Sequence, residues 1–139
     1  MTKILWPQLG WRPLGSSPGA VLQPPVTDGT VGFFVVAPWC PDCREAAARL
    51  PSTLPEGMPI WLVGEFAPVE ETIAFAREFN LSWPILIGTS EKTEVARNAA
   101  KFRQIRSAWG DGRKWGLPLW IEGRIAHGWL EVSRVHWPE

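Results

Sequence analysis

Both cysteines of this 139-residue chain lie within the stretch "APWCPDC", residues 37–43. At this spacing, Cys40 and Cys43 could bind a metal, close a small disulfide loop, or exchange electrons with another disulfide. A chain of this length buries roughly two thirds of its unfolded surface and needs no disulfide to fold. The two cysteines are therefore free to do chemistry.

A metal site is the weaker of these readings. Structural zinc sites take four ligands, commonly Cys and His in pairs at short spacing. The two histidines, His127 and His136, lie far from the cysteines in the sequence, and we expect them to be a structural hairpin residue and a tail residue. We therefore expect no metal, and no cofactor other than a redox-active disulfide between Cys40 and Cys43.

Charge and hydropathy limit the classes of partner and the location. Fourteen basic and fourteen acidic residues give a net charge of zero, whereas nucleic-acid binders usually carry a basic excess. The N-terminus has no apolar run of the kind a signal peptide needs, and no window is long and apolar enough for a membrane span. We expect a cytoplasmic protein that binds neither nucleic acid nor membrane. In a reducing compartment, an isolated C-x-x-C is more often catalytic or metal-binding than structural.

The first half of the chain divides into a lead-in and a strand–helix unit. Residues 1–30 are rich in Pro, Gly and Ser, which predicts an irregular segment with one short edge strand around Gly19–Leu22. Residues 31–139 are predicted to form a single domain. The apolar run 31–37, "VGFFVVA", predicts a strand that is buried on both faces. Pro41 suits the first turn of a helix that Pro51 ends, with Ala46, Ala47 and Leu50 facing inward.

The second half continues the alternation of strands and helices. Residues 59–66 predict a strand, a helix begins after Pro68, "WPILIG" predicts a third strand, and a helix runs from Ser90 to about Ser107. The residues 117–132 predict a hairpin that turns at Glu122–Gly123 and is followed by a charged tail. The predicted inner stripes of the two helices are Val69, Ile73, Ala76 and Phe79 or Asn80 in the first, and Val95, Ala99, Phe102, Ile105 and Trp109 in the second.

This order predicts an α/β fold with a central mixed sheet, largely parallel, and helices on both faces. Chemistry in such sheets gathers at the carboxyl ends of the parallel strands. Cys40 follows one of these strands and begins a helix, whose N-terminus stabilises a thiolate. Cys43 lies one turn further into the helix and should be less exposed. Cys40 is therefore expected to attack a disulfide and Cys43 to resolve the intermediate.

Two segments resemble thioredoxin-like proteins. "FFVVAPWCPDC" resembles the active-site strand and loop of that superfamily, and "WGLPLWIEGRIAHGW" resembles the later part in which a proline opens a hairpin strand. The resemblance covers about residues 31–130. The extra helix and "WPILI" strand before this proline are similar to an insertion in the reductase and peroxiredoxin-like branches. The C-terminal helix of the superfamily is missing from the pattern, so the Trp-rich lead-in or a partner chain must cover that sheet face.

The resemblance implies a thiol–disulfide oxidoreductase that reduces protein disulfides by dithiol exchange. It implies a cis Leu117–Pro118 bond near the cysteines, where the backbone of Leu117 pairs with an extended substrate peptide. The surface that docks the substrate would consist of Trp39 and the loop residues Gly116, Leu117 and Pro118. A reductase or a low-molecular-weight thiol would supply electrons.

The sequence departs from the superfamily beside the cysteines. Phe34 stands where these proteins usually carry a buried Asp, so Glu65 at the end of the next strand is a candidate proton relay for Cys43; the alternative is a solvated carboxylate. Between the cysteines, Pro41 and Asp42 form the variable part of the loop. Asp42 is expected to oppose ionisation of Cys40, whereas the helix dipole and Arg44 are expected to favour it. Asp42 indicates either substrate selectivity or an ordinary acidic residue of a first helical turn.

Two other functions fit less well. A peroxidase of the peroxiredoxin type would carry Thr where this chain has Ala37. A non-catalytic module could keep the same fold and use its tryptophans to bind a partner, but such a module has no need of both cysteines.

Overall fold

The structure is a computed structural model that describes residues 2–16, 22–50, 57–109 and 116–136. The strands of the described residues are β1 Thr2–Leu5, β2 Arg12–Pro13, β3 Gly29–Val36, β4 Ile60–Gly64, β5 Ile85–Ile87, β6 Leu119–Ala126 and β7 Trp129–His136. Their helices are α1 Trp6–Leu9, α2 Pro41–Arg49, α3 Val69–Glu78, α4 Glu94–Arg97 and α5 Ala100–Trp109. These strands form one sheet in the order β1-β7-β6-β3-β4-β5-β2.

Strand β3 lies at the centre of this sheet. It pairs in parallel with β4 and antiparallel with β6, so the sheet is mixed, as the sequence predicts. The expectation of a largely parallel sheet is wrong, because among the described strands only the β3–β4 and β4–β5 pairs are parallel and the others are antiparallel. Successive side chains of a strand point to opposite faces. Phe33 and Val35 accordingly belong to one hydrophobic cluster, and Phe34 and Val36 belong to the other.

Helices cover both faces of the sheet, as predicted. On one face, α2 and α3 enclose a cluster that includes Ala46, Ala47, Leu50 and Phe75, and the first three are the inward residues that the sequence predicts for α2. On the other face, α5 contributes Phe102 to a larger cluster. Pro51, the predicted end of α2, lies outside the described residues.

The N-terminal segment differs most from its prediction. The sequence predicts an irregular lead-in over residues 1–30, but residues 2–13 form β1, α1 and β2, which supply both outermost strands of the sheet. In the sequence between β1 and β2 lie Trp6, Leu9 and Trp11, which are fully buried against the face of the sheet that also carries α5. The N-terminal segment and α5 thus cover the same face of the sheet. These elements are too short for a hydrophobic period to reveal them, and most of the predicted edge strand Gly19–Leu22 lies outside the described residues.

The buried residues predicted for α3 and for the helix from Ser90 are only partly confirmed. In α3, the most buried residues are Thr72, Phe75 and Ala76, whereas Ile73 is half-buried. The helix predicted from Ser90 is two helices, and Val95 in α4 is 85% exposed. Asn98 separates them, and its side chain donates a hydrogen bond to the Glu94 carbonyl at 3.0 Å. Asparagine competes in this way with the hydrogen bonds of a continuing helix. The inner residues Phe102 and Ile105 are buried as predicted.

The hairpin turns five residues later than the sequence predicts. β6 runs through Glu122–Gly123, and the turn lies at His127 and Gly128, whose φ angles are 53° and 80°. Gly123 has a packing role, because a Cβ there would lie 2.6 Å from the carbonyl oxygen of Glu131. The register also shifts between Glu122 and Gly123, as in a β-bulge. β7 then continues to His136, so the predicted tail is mostly strand, and no helix follows it among the described residues.

Two leucines of the N-terminal segment test whether it belongs to the core. Leu9→Ala should lower the free energy of unfolding by about 2–5 kcal/mol, because it leaves a cavity in the packed face. The matched control Leu14→Ala should cost less than about 1 kcal/mol, because Leu14 is 45% exposed. Urea denaturation of the three proteins measures both changes. Similar small losses in both variants would contradict the packing described for residues 2–13.

Candidate active site

Cys40 occupies the junction between the central strand and the first long helix. It is the N-cap residue of α2, with extended backbone angles, and Pro41 follows at the first helical position. This is the position that the sequence predicts, since Pro has no N–H to leave unpaired in a first turn. The residue is half-buried and contacts both hydrophobic clusters. Its sulfur is therefore within reach of both the interior and the surface.

Cys43 lies one turn further along α2 and is completely buried. Burial raises the pKa of its thiol well above the ordinary value of 9.0, and the nearby Cys40 and Asp42 raise it further, against the effect of a backbone hydrogen bond with Ala37. Both cysteines are free thiols in the structure. The pair thus consists of one accessible sulfur and one sheltered sulfur that stays protonated at neutral pH.

The loop before β6 lies directly against Cys40. The Leu117–Pro118 peptide bond is cis, the geometry that the resemblance implies. The Cys40 thiol donates a hydrogen bond to the Leu117 carbonyl, with 3.8 Å between sulfur and oxygen. Gly116 and Leu117 are half-buried, and Pro118 is buried beneath them.

A cleft of about 380 Å³ opens beside the Cys40 sulfur. It brings together four residues that the sequence singled out by type or spacing, namely Trp39, Cys40, Gly116 and Leu117. The remaining lining residues are Ala37, Phe66, Glu94, Arg97 and Asn98.

Three of those lining residues come from α4 and the residue after it, and sequence reasoning missed them. A single long helix from Ser90 places Glu94, Arg97 and Asn98 on an ordinary solvated face. The signal that could have revealed the break is Asn98 followed by two alanines, since Asn is unfavourable inside a helix. Phe66 was also missed, although it directly follows Glu65.

Trp39 lines the cleft and is 45% exposed. Its indole Nε1–H donates a hydrogen bond to the Phe66 carbonyl oxygen at 2.8 Å. The Lys92 ammonium lies 5.2 Å from the centre of the indole ring, within the range of a cation–π contact. An exposed aromatic ring that is fixed at its polar edge offers a preorganised docking surface.

Pro41 and Asp42 are exposed in the first turn of α2 and do not line this cleft. Arg44, in the same helix, forms an ion pair with Glu78 of α3 and lies over the Phe79 ring. Because Asp42 is exposed, its side chain faces solvent at the N-terminal end of α2.

Glu65 is not the solvated carboxylate that was one reading of the sequence. It is completely buried, and it accepts hydrogen bonds from the Thr89 backbone N–H at 2.7 Å and from the Trp11 indole at 3.1 Å. It also forms an ion pair with Lys101, with 2.6 Å between nitrogen and oxygen. Trp11 belongs to the cluster on the face with the N-terminal segment, whereas Phe34 and Cys43 belong to the opposite cluster.

The described residues contain no group of three or more His, Cys, Asp or Glu side chains that could hold a metal ion. Over the same ranges, none of the helices has the length and apolar character needed to cross a bilayer.

The burial of Cys43 predicts how the stability of the reduced protein depends on pH. Below the ordinary thiol value of 9.0, Cys43 is protonated in both the folded and unfolded chains. Above it, the unfolded chain loses the proton and the folded chain keeps it, so stability should fall by up to about 1.4 kcal/mol per pH unit. Urea denaturation between pH 7 and 10 under a phosphine reductant measures the slope. Cys43→Ser should remove it and Cys40→Ser should keep it; equal slopes in all three proteins would contradict the burial of Cys43.

Comparison with solved structures agrees with this architecture. The thioredoxin domain of thiol-disulfide oxidoreductase BVU-2223 from Bacteroides vulgatus matches with a TM-score of 0.53 at 13% identity, over 79% of this chain and 71% of that one. StoA from Bacillus subtilis matches with 0.48 at 13% identity, over 81% and 75%. A secreted Mycobacterium tuberculosis disulfide oxidoreductase homologous to E. coli DsbE matches with 0.48 at 15% identity, over 75% and 66%.

The chain thus spans about two thirds to three quarters of the length of these proteins. No protein-family model matches the sequence, and no curated protein does. At 13% identity, the similarity to the Bacteroides domain is evidence for the fold. Together with the mixed sheet and the helices on both faces, it shows that this chain has a thioredoxin-like fold.

Proposed function

We propose that this protein is a thiol–disulfide oxidoreductase that reduces protein disulfides through Cys40 and Cys43. The observation that carries the proposal is the pairing of an accessible sulfur at a cleft with a buried thiol one helical turn behind it. Solved proteins with similar structures are named thiol-disulfide oxidoreductases, which agrees with this class at the level of the fold. The remaining steps are derived from the chemistry of the pair.

The reaction consists of two exchanges. The Cys40 thiolate attacks one sulfur of the substrate disulfide, the substrate S–S bond breaks, and the departing substrate thiolate takes up a proton. Cys43 then loses its proton and attacks the Cys40 sulfur, which forms the Cys40–Cys43 disulfide and releases the second substrate thiolate. The substrate gains two electrons, and the cysteine pair loses two.

The positions of the two sulfurs suit these different roles. Cys40 begins a helix, where the partial positive charge of the N-terminus stabilises a thiolate. Cys43 is held as a thiol by its burial and its neighbours, so it does not compete for the substrate. It acts only after the mixed disulfide has formed beside it.

An extended peptide fits the edge of the cleft formed by Gly116 and Leu117. The Leu117 backbone lies against the Cys40 sulfur, so a peptide that paired with it would bring its own disulfide to the nucleophile. Trp39, which lines the same cleft, supplies an aromatic surface. The substrate class proposed here is therefore a disulfide in an extended or locally unfolded segment of a protein.

We further propose that the pair works in the reducing direction and in the cytoplasm, where thiols are kept reduced. The pair needs no other cofactor, but each cycle leaves a disulfide that an electron donor must reduce, either a reductase protein or a low-molecular-weight thiol.

Acid quenching of cells followed by thiol alkylation should find Cys40 and Cys43 mainly as thiols. A pair that is mainly disulfide in the cell would contradict the reducing direction without excluding exchange chemistry.

Trapping the intermediate tests the mechanism. Cys43→Ser removes the resolving thiol but leaves the nucleophile, so the variant should accumulate covalent adducts with a reducible protein such as insulin. These adducts should appear on non-reducing gels, disappear with dithiothreitol, and map to Cys40 by mass spectrometry. The matched variant Cys40→Ser should form far fewer adducts, because its remaining thiol is buried.

The same experiment separates the alternatives. Absence of adducts, together with failure of the wild-type protein to reduce insulin, would exclude the enzyme and favour a non-catalytic binding module of the same fold. Adducts that form mainly through Cys43 would reverse the assigned roles.

A further inference from the structure

We propose that Glu65 is a positioning residue, which fixes the indole of Trp39 at the cleft through an unbroken chain of hydrogen bonds. The proposal rests on the proposed function only in that Trp39 is taken to dock the substrate. It assigns to Glu65 a role different from that of a proton relay for Cys43.

The chain of hydrogen bonds begins at the surface and runs inward. The Trp39 indole N–H donates to the Phe66 carbonyl at 2.8 Å, and the Phe66 N–H donates to the Thr89 carbonyl at 2.6 Å. The Thr89 N–H in turn donates to Oε1 of Glu65 at 2.7 Å. Three consecutive hydrogen bonds thus connect an exposed ring beside Cys40 to a buried carboxylate.

Glu65, at the inner end of this chain of hydrogen bonds, has two further partners. Oε2 of Glu65 accepts hydrogen bonds from the Trp11 indole at 3.1 Å and from the Lys101 ammonium at 2.6 Å. Lys101 also donates to the Leu9 carbonyl at 2.6 Å. Because Glu65 is 0% exposed and Lys101 9%, each charge depends on the other for its stabilisation.

The backbone packs closely against the Glu65 carboxylate. A Cβ on Gly88 would lie 1.6 Å from Oε1, so glycine is required where β5 ends. The next residue after Glu65, Phe66, has a φ angle of 61°, a conformation that bulky residues adopt only where their surroundings impose it. The Phe66 ring packs on Phe102 with 5.4 Å between ring centres. The direction of the Phe66 carbonyl therefore depends on this backbone conformation and on the hydrogen bond from Phe66 N–H to Thr89, the residue that Glu65 binds.

The chemistry of the carboxylate explains why this position needs Glu rather than Gln. Oε1 and Oε2 both accept, from different donors on opposite sides of the group. A glutamine has a single acceptor oxygen, and its NH₂ group would face either Thr89 N–H or the pair Trp11 and Lys101. In either orientation the NH₂ group of the glutamine would face another N–H donor. The chain of hydrogen bonds would then lose a bond on that side of residue 65.

The same geometry argues against a relay to Cys43. Glu65 accepts from Trp11, and its ion-pair partner Lys101 donates to Leu9; both Trp11 and Leu9 belong to the cluster on the face with the N-terminal segment. Cys43 lies in the cluster on the other face of the sheet.

Nuclear magnetic resonance of the indole N–H groups tests the connection without any measurement of activity. Trp39→Phe identifies the Trp39 signal in the spectrum of the wild-type protein by its disappearance. In folded Glu65→Gln, that proton should exchange with solvent about three- to tenfold faster, the range expected when about one net hydrogen bond is lost. Ile125→Val, which trims the same core cluster far from the chain of hydrogen bonds, serves as the control and should leave the exchange rate unchanged.

Kinetics then test the consequence for substrate docking. Glu65→Gln should raise KM for insulin about three- to tenfold, leave kcat within about twofold, and leave the pH profile of kcat unchanged. In a Trp39→Phe background, which lacks the indole donor, Glu65→Gln should have little further effect on KM. A relay would instead lower kcat, shift its pH profile, and act equally in both backgrounds.

These outcomes separate failure of the inference from failure of the proposed function. An unchanged Trp39 exchange rate in folded Glu65→Gln, or additive effects on KM, would overturn the positioning role even if the enzyme is active. An inactive wild-type protein would overturn the proposed function and leave the exchange measurement to test the hydrogen bonds. If Glu65→Gln does not fold, Trp11→Phe removes one donor to Oε2 and should produce the same changes at smaller size; no change in that folded variant would equally overturn the inference.

Discussion

The structure depends on one constraint, the burial of β3 on both faces at the centre of the sheet. Its side chains must alternate between two separate cores, and its ends must leave the sheet at fixed places. The chain leaves the carboxyl end at Ala37 and reaches Cys40 three residues later, where α2 begins. The position of the reactive sulfur is therefore a consequence of the packing of a strand that takes no part in the chemistry.

The two cores make different contributions to the site. The cluster beneath α2 and α3 encloses Cys43, and its low polarity keeps that sulfur protonated. The other cluster includes the buried ring of Trp11, whose indole donates to Glu65, and Phe66, whose carbonyl accepts from Trp39. The N-terminal segment is thus connected to the cleft, although the sequence indicates only an irregular lead-in.

What could be predicted from the sequence follows from the strength of each local signal. The apolar run of β3 and the proline after Cys40 each identify a single local structure, so the strand, helix and cysteine positions were predictable. The hairpin was misplaced because Glu122–Gly123 has the composition of a turn, while the close approach of Glu131 to Gly123 exists only after the strands pair. The short elements β1, α1 and β2 gain their stability from tertiary packing, which no local pattern records. For the same reason, the partners of Glu65 could not be anticipated, whereas Asn98 is a weak local signal for the helix break that places Glu94 and Arg97 at the cleft.

The central claim is that Cys40 and Cys43 together pass two electrons to a protein disulfide. The most direct measurement is a single-turnover reaction, in which the reduced protein, freed of all other reductant, is mixed with excess insulin. Mass spectrometry should show a loss of two hydrogens from this chain and a disulfide between Cys40 and Cys43, in equal amount to the insulin disulfides lost. Loss of insulin disulfides without formation of this bond, or no loss at all, would contradict the account.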